Sequence, residues 1–166
     1  DGADSIAISG HKFFGSPMPC GVVVVKKSNR DRIARSIAYI GSVDTTITGS
    51  RNGHSPLFLW YTLKKLGLDG LKSRALRCLE TAQYAVEKLN ENGINAWRNP
   101  NAITVNFLSP SATIRQKWQL AAESGWSHII CMPNIEKKQV DELIAEMVSE
   151  LLVTAIKASI FSISIP

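Results

Sequence analysis

The residues best suited to chemistry stand in one short run, Ser9-Gly10-His11-Lys12-Phe13-Phe14-Gly15. Lys12 follows a strand-like stretch and sits among small and aromatic residues, an unusual place for a solvated charge. Desolvation there favours the neutral amine, which is a nucleophile toward an aldehyde. Glycines on both sides let the backbone approach a bulky ligand closely. Ser9 and His11 add a hydroxyl and an imidazole near the same point, and both suit a phosphate group. On residue chemistry alone the matter stays open, because most glycine-rich loops that carry a lysine are simply solvated.

The elements that must position this run are legible as periodicity and punctuation. Ser5 to Ser9 reads as a strand with Ile6 and Ile8 on one face. Gly10 to Gly21 reads as a loop. Val22-Val23-Val24-Val25 reads as a fully buried strand. Asn29 is expected to cap a short helix reaching about Ala38. Gly41 to Gly53 forms a second polar, glycine-bearing loop, ended by Ser55-Pro56 as a helix cap and first-turn proline. That helix, with Leu57, Trp60, Tyr61 and Leu63 as its apolar positions, stops at Gly67. Asp69 then opens a longer helix in which Leu71, Ala75, Cys78, Leu79, Ala82, Val86 and Leu89 recur at helical spacing. Asn92-Gly93 ends it.

Beyond Gly93 the texture changes to a compact mixed unit. A short strand near 94–97 turns through Asn99-Pro100-Asn101 into the alternating strand Ile103/Val105/Phe107. A helix over about 113–124, a strand over 128–132 and a final helix follow. Val140, Leu143, Ile144, Met147, Val148 and Leu151 share one face of that last helix. The division expected is 1–66, a connecting helix over 67–93, a small α/β domain over 94–152, and an irregular tail over 153–166.

Composition narrows the function classes. The chain has 166 residues, 45% apolar and 20% charged, with a mean hydropathy of 0.00, enough to bury a core. The net charge of +5 comes from scattered pairs such as Lys26-Lys27, Lys64-Lys65 and Lys137-Lys138, which argues against nucleic-acid binding. No apolar run approaches the roughly 18 residues of a membrane span. Cys20, Cys78 and Cys131 fit neither a disulfide framework nor a metal site, so reduced thiols and a cytoplasmic setting are expected. The opening Asp1-Gly2-Ala3-Asp4 has no initiator Met and no secretory leader. It reads as an interior cut.

Two motifs carry a family resemblance. Ser-Gly-His-Lys at 9–12, followed by Gly-Ser-Pro-Met-Pro-Cys-Gly at 15–21, resembles the cofactor-lysine segment of the group II pyridoxal-phosphate (PLP) dependent decarboxylases. Thr48-Gly49-Ser50-Arg51-Asn52-Gly53-His54, followed by Pro56-Leu57 and Trp60, resembles a loop and helix of the same group, in its bacterial histidine and plant serine decarboxylase subgroup. The specific likeness covers about residues 1–66 and loosens from there to about Leu152, where it takes in a Trp118-Gln119-Leu120-Ala121 helix and the His128 to Pro133 stretch.

The resemblance implies an α/β fold of the PLP-dependent transferase kind, fold type I and aspartate-aminotransferase-like, with the end of the large domain followed by the small C-terminal domain. It implies pyridoxal 5'-phosphate as cofactor, held covalently by Lys12, with His11 and Ser9 at the cofactor or its phosphate. Ser50 matches a loop that in similar dimeric enzymes enters the partner subunit's site, so Ser50 is implied as a cofactor-binding residue and a homodimer or higher homo-oligomer is implied. The reaction implied is decarboxylation of an amino acid, histidine to histamine first and serine to ethanolamine second. A non-catalytic dimerisation fragment is the alternative from another class. The family's ring-nitrogen aspartate, ring-stacking residue and phosphate loop would precede Asp1, so this chain alone is expected to be inactive.

The remaining candidates have plainer readings. Arg51 is divided evenly between a structural ion pair and a contact to the loop or an anion, the latter shared with Asn52. His54 is read as loop packing, His128 as a core histidine, Trp60-Tyr61 as helix core and Cys20 as packing beside the first loop.

Overall fold

A computed structural model describes residues 2–46 and 49–163, with 157, 158 and 160–163 described by backbone alone. The chain forms two compact units, Asp1–Leu71 and Lys72–Pro166.

In the first unit, β1 (Ser5–Ser9) and β2 (Gly21–Val25) pair antiparallel, with Ser9 opposite Gly21 and Ser5 opposite Val25. Residues 10–20 are therefore the closing loop of a hairpin. The valine run is not the fully buried strand its composition suggested. Val23, Val24 and Val25 are 69%, 54% and 36% exposed, because β2 has one neighbouring strand and no layer of this unit covers its faces.

The next segment also departs from expectation. Helix α1 (Lys27–Ile33) begins without a side-chain cap; Asn29 contributes only its backbone N–H, donated to the Lys26 carbonyl at 3.0 Å. Instead of continuing to Ala38, the chain forms β3 (Arg35–Ile37), a 3-10 turn (Ala38–Ile40) and β4 (Ser42–Asp44), which pairs antiparallel with β3. Ile37, Tyr39, Ile40 and Val43 favour extended backbone over helix. Gly41, at φ 63°, supplies the left-handed residue that reverses the chain. The polar loop thus begins only after Asp44.

Helix α2 (His54–Glu91) is interrupted at Gly67, whose backbone is non-helical at φ 59°, ψ −171°. Its opening stretch turns a different face inward than the apolar pattern suggested. Ser55 is buried and Phe58, Leu59, Thr62 and Leu66 are half-buried, a stripe at three- and four-residue steps. Leu57, Trp60, Tyr61 and Leu63 are 56%, 57%, 57% and 45% exposed, so the Trp60-Tyr61 pair is surface and not core. The buried stripe mixes serine, threonine and large apolar groups, which hides it from a hydrophobicity count.

The second unit packs the later part of α2 and α4 (Lys137–Ile163) on one face of a four-stranded antiparallel sheet. Its strands are β5 (Ala96–Trp97), β6 (Thr104–Leu108), β7 (Ala121–Glu123) and β8 (Trp126–Ile130), in the order β5-β6-β8-β7. Val105 and Phe107 from β6 meet Ala82, Ala85 and Leu89 from α2 and Val140, Leu143, Ile144 and Met147 from α4. Burial of such side chains at about 25 cal/mol per Å² is the main favourable term. Asn90 ties α2 to the sheet edge by accepting from Ala96 N–H at 3.1 Å and donating to the Ala96 carbonyl at 2.9 Å.

Three expectations in this unit are corrected. The helix expected over 113–124 ends early: α3 is Ala112–Lys117, and β7 follows. Gln119 takes a left-handed φ of 52°, the Trp118 indole donates to Glu146 at 3.0 Å, and Leu120 N–H closes back on the Arg115 carbonyl at 2.9 Å. Ser124 and Gly125, at φ 50° and 81°, then make the two-residue turn from β7 to β8. His128 is half-buried and outside the core, since its neighbour Ser127, 1% exposed, takes the inward position. A one-residue change of parity moves a strand side chain to the opposite face. Finally, α4 runs to Ile163 where an irregular tail was expected from 153, and Leu151 is 55% exposed. No glycine or proline lies between Leu151 and Ile163 to stop a helix.

Candidate functional site

The first loop is held from within by its backbone. Gly10 N–H extends the β1–β2 ladder to the Cys20 carbonyl at 2.9 Å, and Ser16 N–H reaches the Gly10 carbonyl at 3.0 Å. Ser16, buried, donates its hydroxyl to the Met18 carbonyl at 2.9 Å. Lys12 sits at the outer turn of this frame. Its N–H donates to the Ser9 carbonyl at 3.2 Å, and its carbonyl accepts from Gly15 N–H at 2.9 Å.

Ser9 ends β1, and His11 and Lys12 follow it in the loop. Lys12 is exposed, so the desolvation suggested by its neighbours in sequence is absent within this unit. It has no hydrogen-bond or ion-pair partner among the described residues, whereas Lys26 is paired with Asp4 at 2.7 Å. The Nδ1 edge of His11 lies 3.2 Å from both Cys20 N and Cys20 O. Nδ1 accepts from the Cys20 N–H in one tautomer and donates to the Cys20 carbonyl in the other. The hairpin offers the Lys12 amine, the His11 imidazole and the hydroxyl of half-buried Ser9.

The two loop glycines do different work. A Cβ at Gly10 would lie 2.5 Å from Cys20 Sγ and 3.1 Å from Leu59 Cδ2, so only glycine fits. Gly15 has open space around its Cα and is needed for its φ of 73°. The lack of a side chain at Gly15 thus serves the turn, and the close approach is at Gly10. Gly10→Ala is expected to destabilise the apo-protein by about 1–3 kcal/mol, the usual cost of overpacking. Adding Cys20→Ala should recover part of the loss in thermal melting. Absence of any recovery would mean that the contact with Cys20 is not the cause. It also follows that Cys20 is a packing group.

The second loop follows β4. Asp44 Oδ1 accepts from Thr45 N–H at 2.7 Å, Thr46 N–H at 2.9 Å and the Thr46 hydroxyl at 2.8 Å. The Thr46 hydroxyl and N–H, aided by Thr45 N–H and Arg51, hold the Asp44 carboxyl below its usual range. Arg51 Nη1 donates to the Thr46 hydroxyl and, at 3.0 Å, to the Gly49 carbonyl, and lies 3.7 Å from Asp44 Oδ2. Asn52 Oδ1 accepts from Ser55 N–H at 2.8 Å, so Asn52, and not Ser55, caps α2. Ser50 is exposed, and no hydrogen bond joins it to Ser9, His11 or Lys12 among the described residues. Thr48 of the second motif lies outside the described residues. His54 is the first residue of α2 and is exposed.

Elsewhere the titratable groups are structural. Cys131 is fully buried and its thiol is pushed up to about 11 by burial, with Cys78 beside it adding to the shift. The Tyr84 hydroxyl donates to Asp141 at 2.6 Å and Lys137 pairs with Glu80 at 2.7 Å, contacts that tie α4 to α2. Among the described residues no three His, Cys, Asp or Glu side chains are gathered as a metal would require, and no helix is long and apolar enough to cross a membrane.

Known proteins are similar to this chain in sequence and fold. The histidine decarboxylase of Mesorhizobium japonicum is 49% identical over 87% of this chain, which spans 39% of that relative's length. Serine decarboxylase 3 of Oryza sativa subsp. japonica is 44% identical over 86% of the chain, which spans 32% of it. The L-methionine decarboxylase of Streptomyces sp. 590 superposes with a TM-score of 0.74 at 34% identity, over 88% of this chain and 32% of that one. The expected fold type I is thereby borne out. The family model of the pyridoxal-dependent decarboxylase conserved domain matches residues 1–104, and the chain belongs to that family.

Proposed function

We propose that this chain is the cofactor-lysine part of an amino-acid decarboxylase that converts L-histidine to histamine and carbon dioxide. The observation that carries the reading is Lys12 itself: an unpaired amine at the outer turn of a rigidly hydrogen-bonded loop, beside His11 and Ser9. These residues fit pyridoxal 5'-phosphate. Lys12 offers a nucleophile for the aldehyde, and the His11 imidazole and the Ser9 hydroxyl suit the phosphate. When bound, the cofactor supplies an electron sink for the charge left as carbon dioxide departs. The chain's own residues would bind and orient: Lys12 would hold the cofactor, and its amine would be placed to carry a proton.

Likeness to histidine decarboxylases, 49% identical in one case, supports histidine as substrate. The rice relative supports serine, giving ethanolamine, as the second reading. We place residues 1–66 in the cofactor-binding large domain, 67–93 in a connecting segment and 94–152 in a small C-terminal domain, within a cytoplasmic homodimer. Borohydride reduction of the full-length protein loaded with pyridoxal phosphate, followed by peptide mapping, should put the label on Lys12. A label on Lys26 or Lys27 would sink the assignment. Turnover of histidine against serine then decides the substrate.

A further inference from the structure

We infer that Arg51 is a positioning residue for Ser50: it clamps the peptide that leads into Ser50 onto the end of β4, and so fixes where the Ser50 backbone stands. The inference deepens the functional reading above, and rests on Ser50 meeting the cofactor of the partner subunit, as the family resemblance implies. Its structural basis is a set of contacts on both sides of Ser50. On the N-terminal side, Arg51 Nη1 donates to the Gly49 carbonyl at 3.0 Å. That carbonyl belongs to the peptide bond joining Gly49 to Ser50, and the bond is planar, so fixing its oxygen also fixes the Ser50 N–H. On the C-terminal side, Asn52 caps α2 through Ser55 N–H at 2.8 Å.

The clamp has its own anchor. Arg51 Nη1 also donates to the Thr46 hydroxyl, which in turn donates to Asp44 Oδ1 at 2.8 Å. Asp44 is itself fixed by Thr45 and Thr46 N–H groups, and its side chain is only 15% exposed. The 3.7 Å approach of Arg51 to Asp44 Oδ2 adds charge attraction across a gap too long for a hydrogen bond. Arg51 is therefore spent on its own loop. Both contacts come from the one nitrogen, Nη1.

Such an arrangement holds the peptide before Ser50 in place before any ligand arrives, so less ordering is left to do on binding. Ser50, exposed and without a hydrogen-bond partner among the described residues, is left with its hydroxyl free.

The test is cofactor affinity of the full-length apo-protein for pyridoxal phosphate, by absorbance titration, with apo melting measured alongside. Arg51→Ala is expected to raise the dissociation constant about three- to ten-fold, the scale of ordering one loop segment, and Arg51→Lys, which keeps one cationic nitrogen for both contacts, is expected to raise it less. Ser50→Ala should also raise it, and Arg51→Ala/Ser50→Ala should be no weaker than Ser50→Ala, because Arg51 acts through Ser50. Multiplicative effects in the double variant overturn the inference, as does a melting loss with affinity unchanged. If Ser50→Ala leaves affinity intact while the label still falls on Lys12, the clamp fails and the Lys12 reading stands. A label elsewhere removes the underlying reading.

Discussion

Lys12→Ala in the full-length protein is expected to abolish decarboxylation, and Lys12→Arg is not expected to restore it. The lysine has two tasks in the proposed reaction, covalent attachment of the cofactor and proton transfer once displaced. Loss of a positioned proton-transfer group alone costs about 10²–10⁴-fold. Loss of attachment adds to that, and arginine, always protonated, can do neither task. The structure sharpens the comparison with other lysines, since Lys26 is committed to Asp4 at 2.7 Å while Lys12 has no partner among the described residues. The check is steady-state turnover beside the absorbance of the cofactor-loaded protein. Lys12→Ala should lose the yellow absorbance of the bound cofactor together with activity. Retention of both, with loss in Lys26→Ala, would transfer the role to Lys26.

The second large effect is complementation between two inactive variants, Lys12→Ala and Ser50→Trp. The proposal is a two-fold dimer in which Ser50 serves the partner's site. Mixed and allowed to exchange subunits, one of the two sites in each heterodimer then receives an intact Lys12 and an intact Ser50. Up to about half of the normal activity per heterodimer returns, by two-fold symmetry. The geometry within the chain suits this: Ser50 is exposed and has no hydrogen bond to the Lys12 loop among the described residues. Ser50→Trp alters a surface position, so folding should survive, which apo melting verifies. If subunit exchange is demonstrated by an independent label and no activity returns, Ser50 works within its own subunit.

Local chemistry in the sequence was enough for the parts of this protein that local rules govern. The run from Ser9 to Gly15, the strand before it, the break at Gly67 and the helix end near Gly93 were all legible, because glycine punctuation and short-range periodicity act over a few residues. Family membership was legible too, carried by the Ser-Gly-His-Lys and Gly-Ser-Arg-Asn-Gly-His runs. The Ser124-Gly125 pair was a signal passed over: a small residue and a glycine between Ala-Ala-Glu and Trp-Ser-His-Ile-Ile mark a hairpin, not the end of a helix.

Tertiary structure alone decided which face each element buries. Trp60 and Tyr61 look like core by type, yet the neighbours available to α2 accept Phe58, Leu59, Thr62 and Leu66. His128 and Ser127 exchange the roles their hydrophobicity suggests, since the sheet register puts Ser127 opposite Phe107 and against Ser109. The same holds at the site. That Gly10 must be glycine follows from a cysteine ten residues away in sequence and from Leu59 on another element. That Arg51 clamps Gly49 to Thr46 and Asp44 follows from the β3–β4 pairing that sets where the loop starts. Burial and hydrogen bonding are settled by what the chain brings alongside, and residue type constrains that only one element at a time.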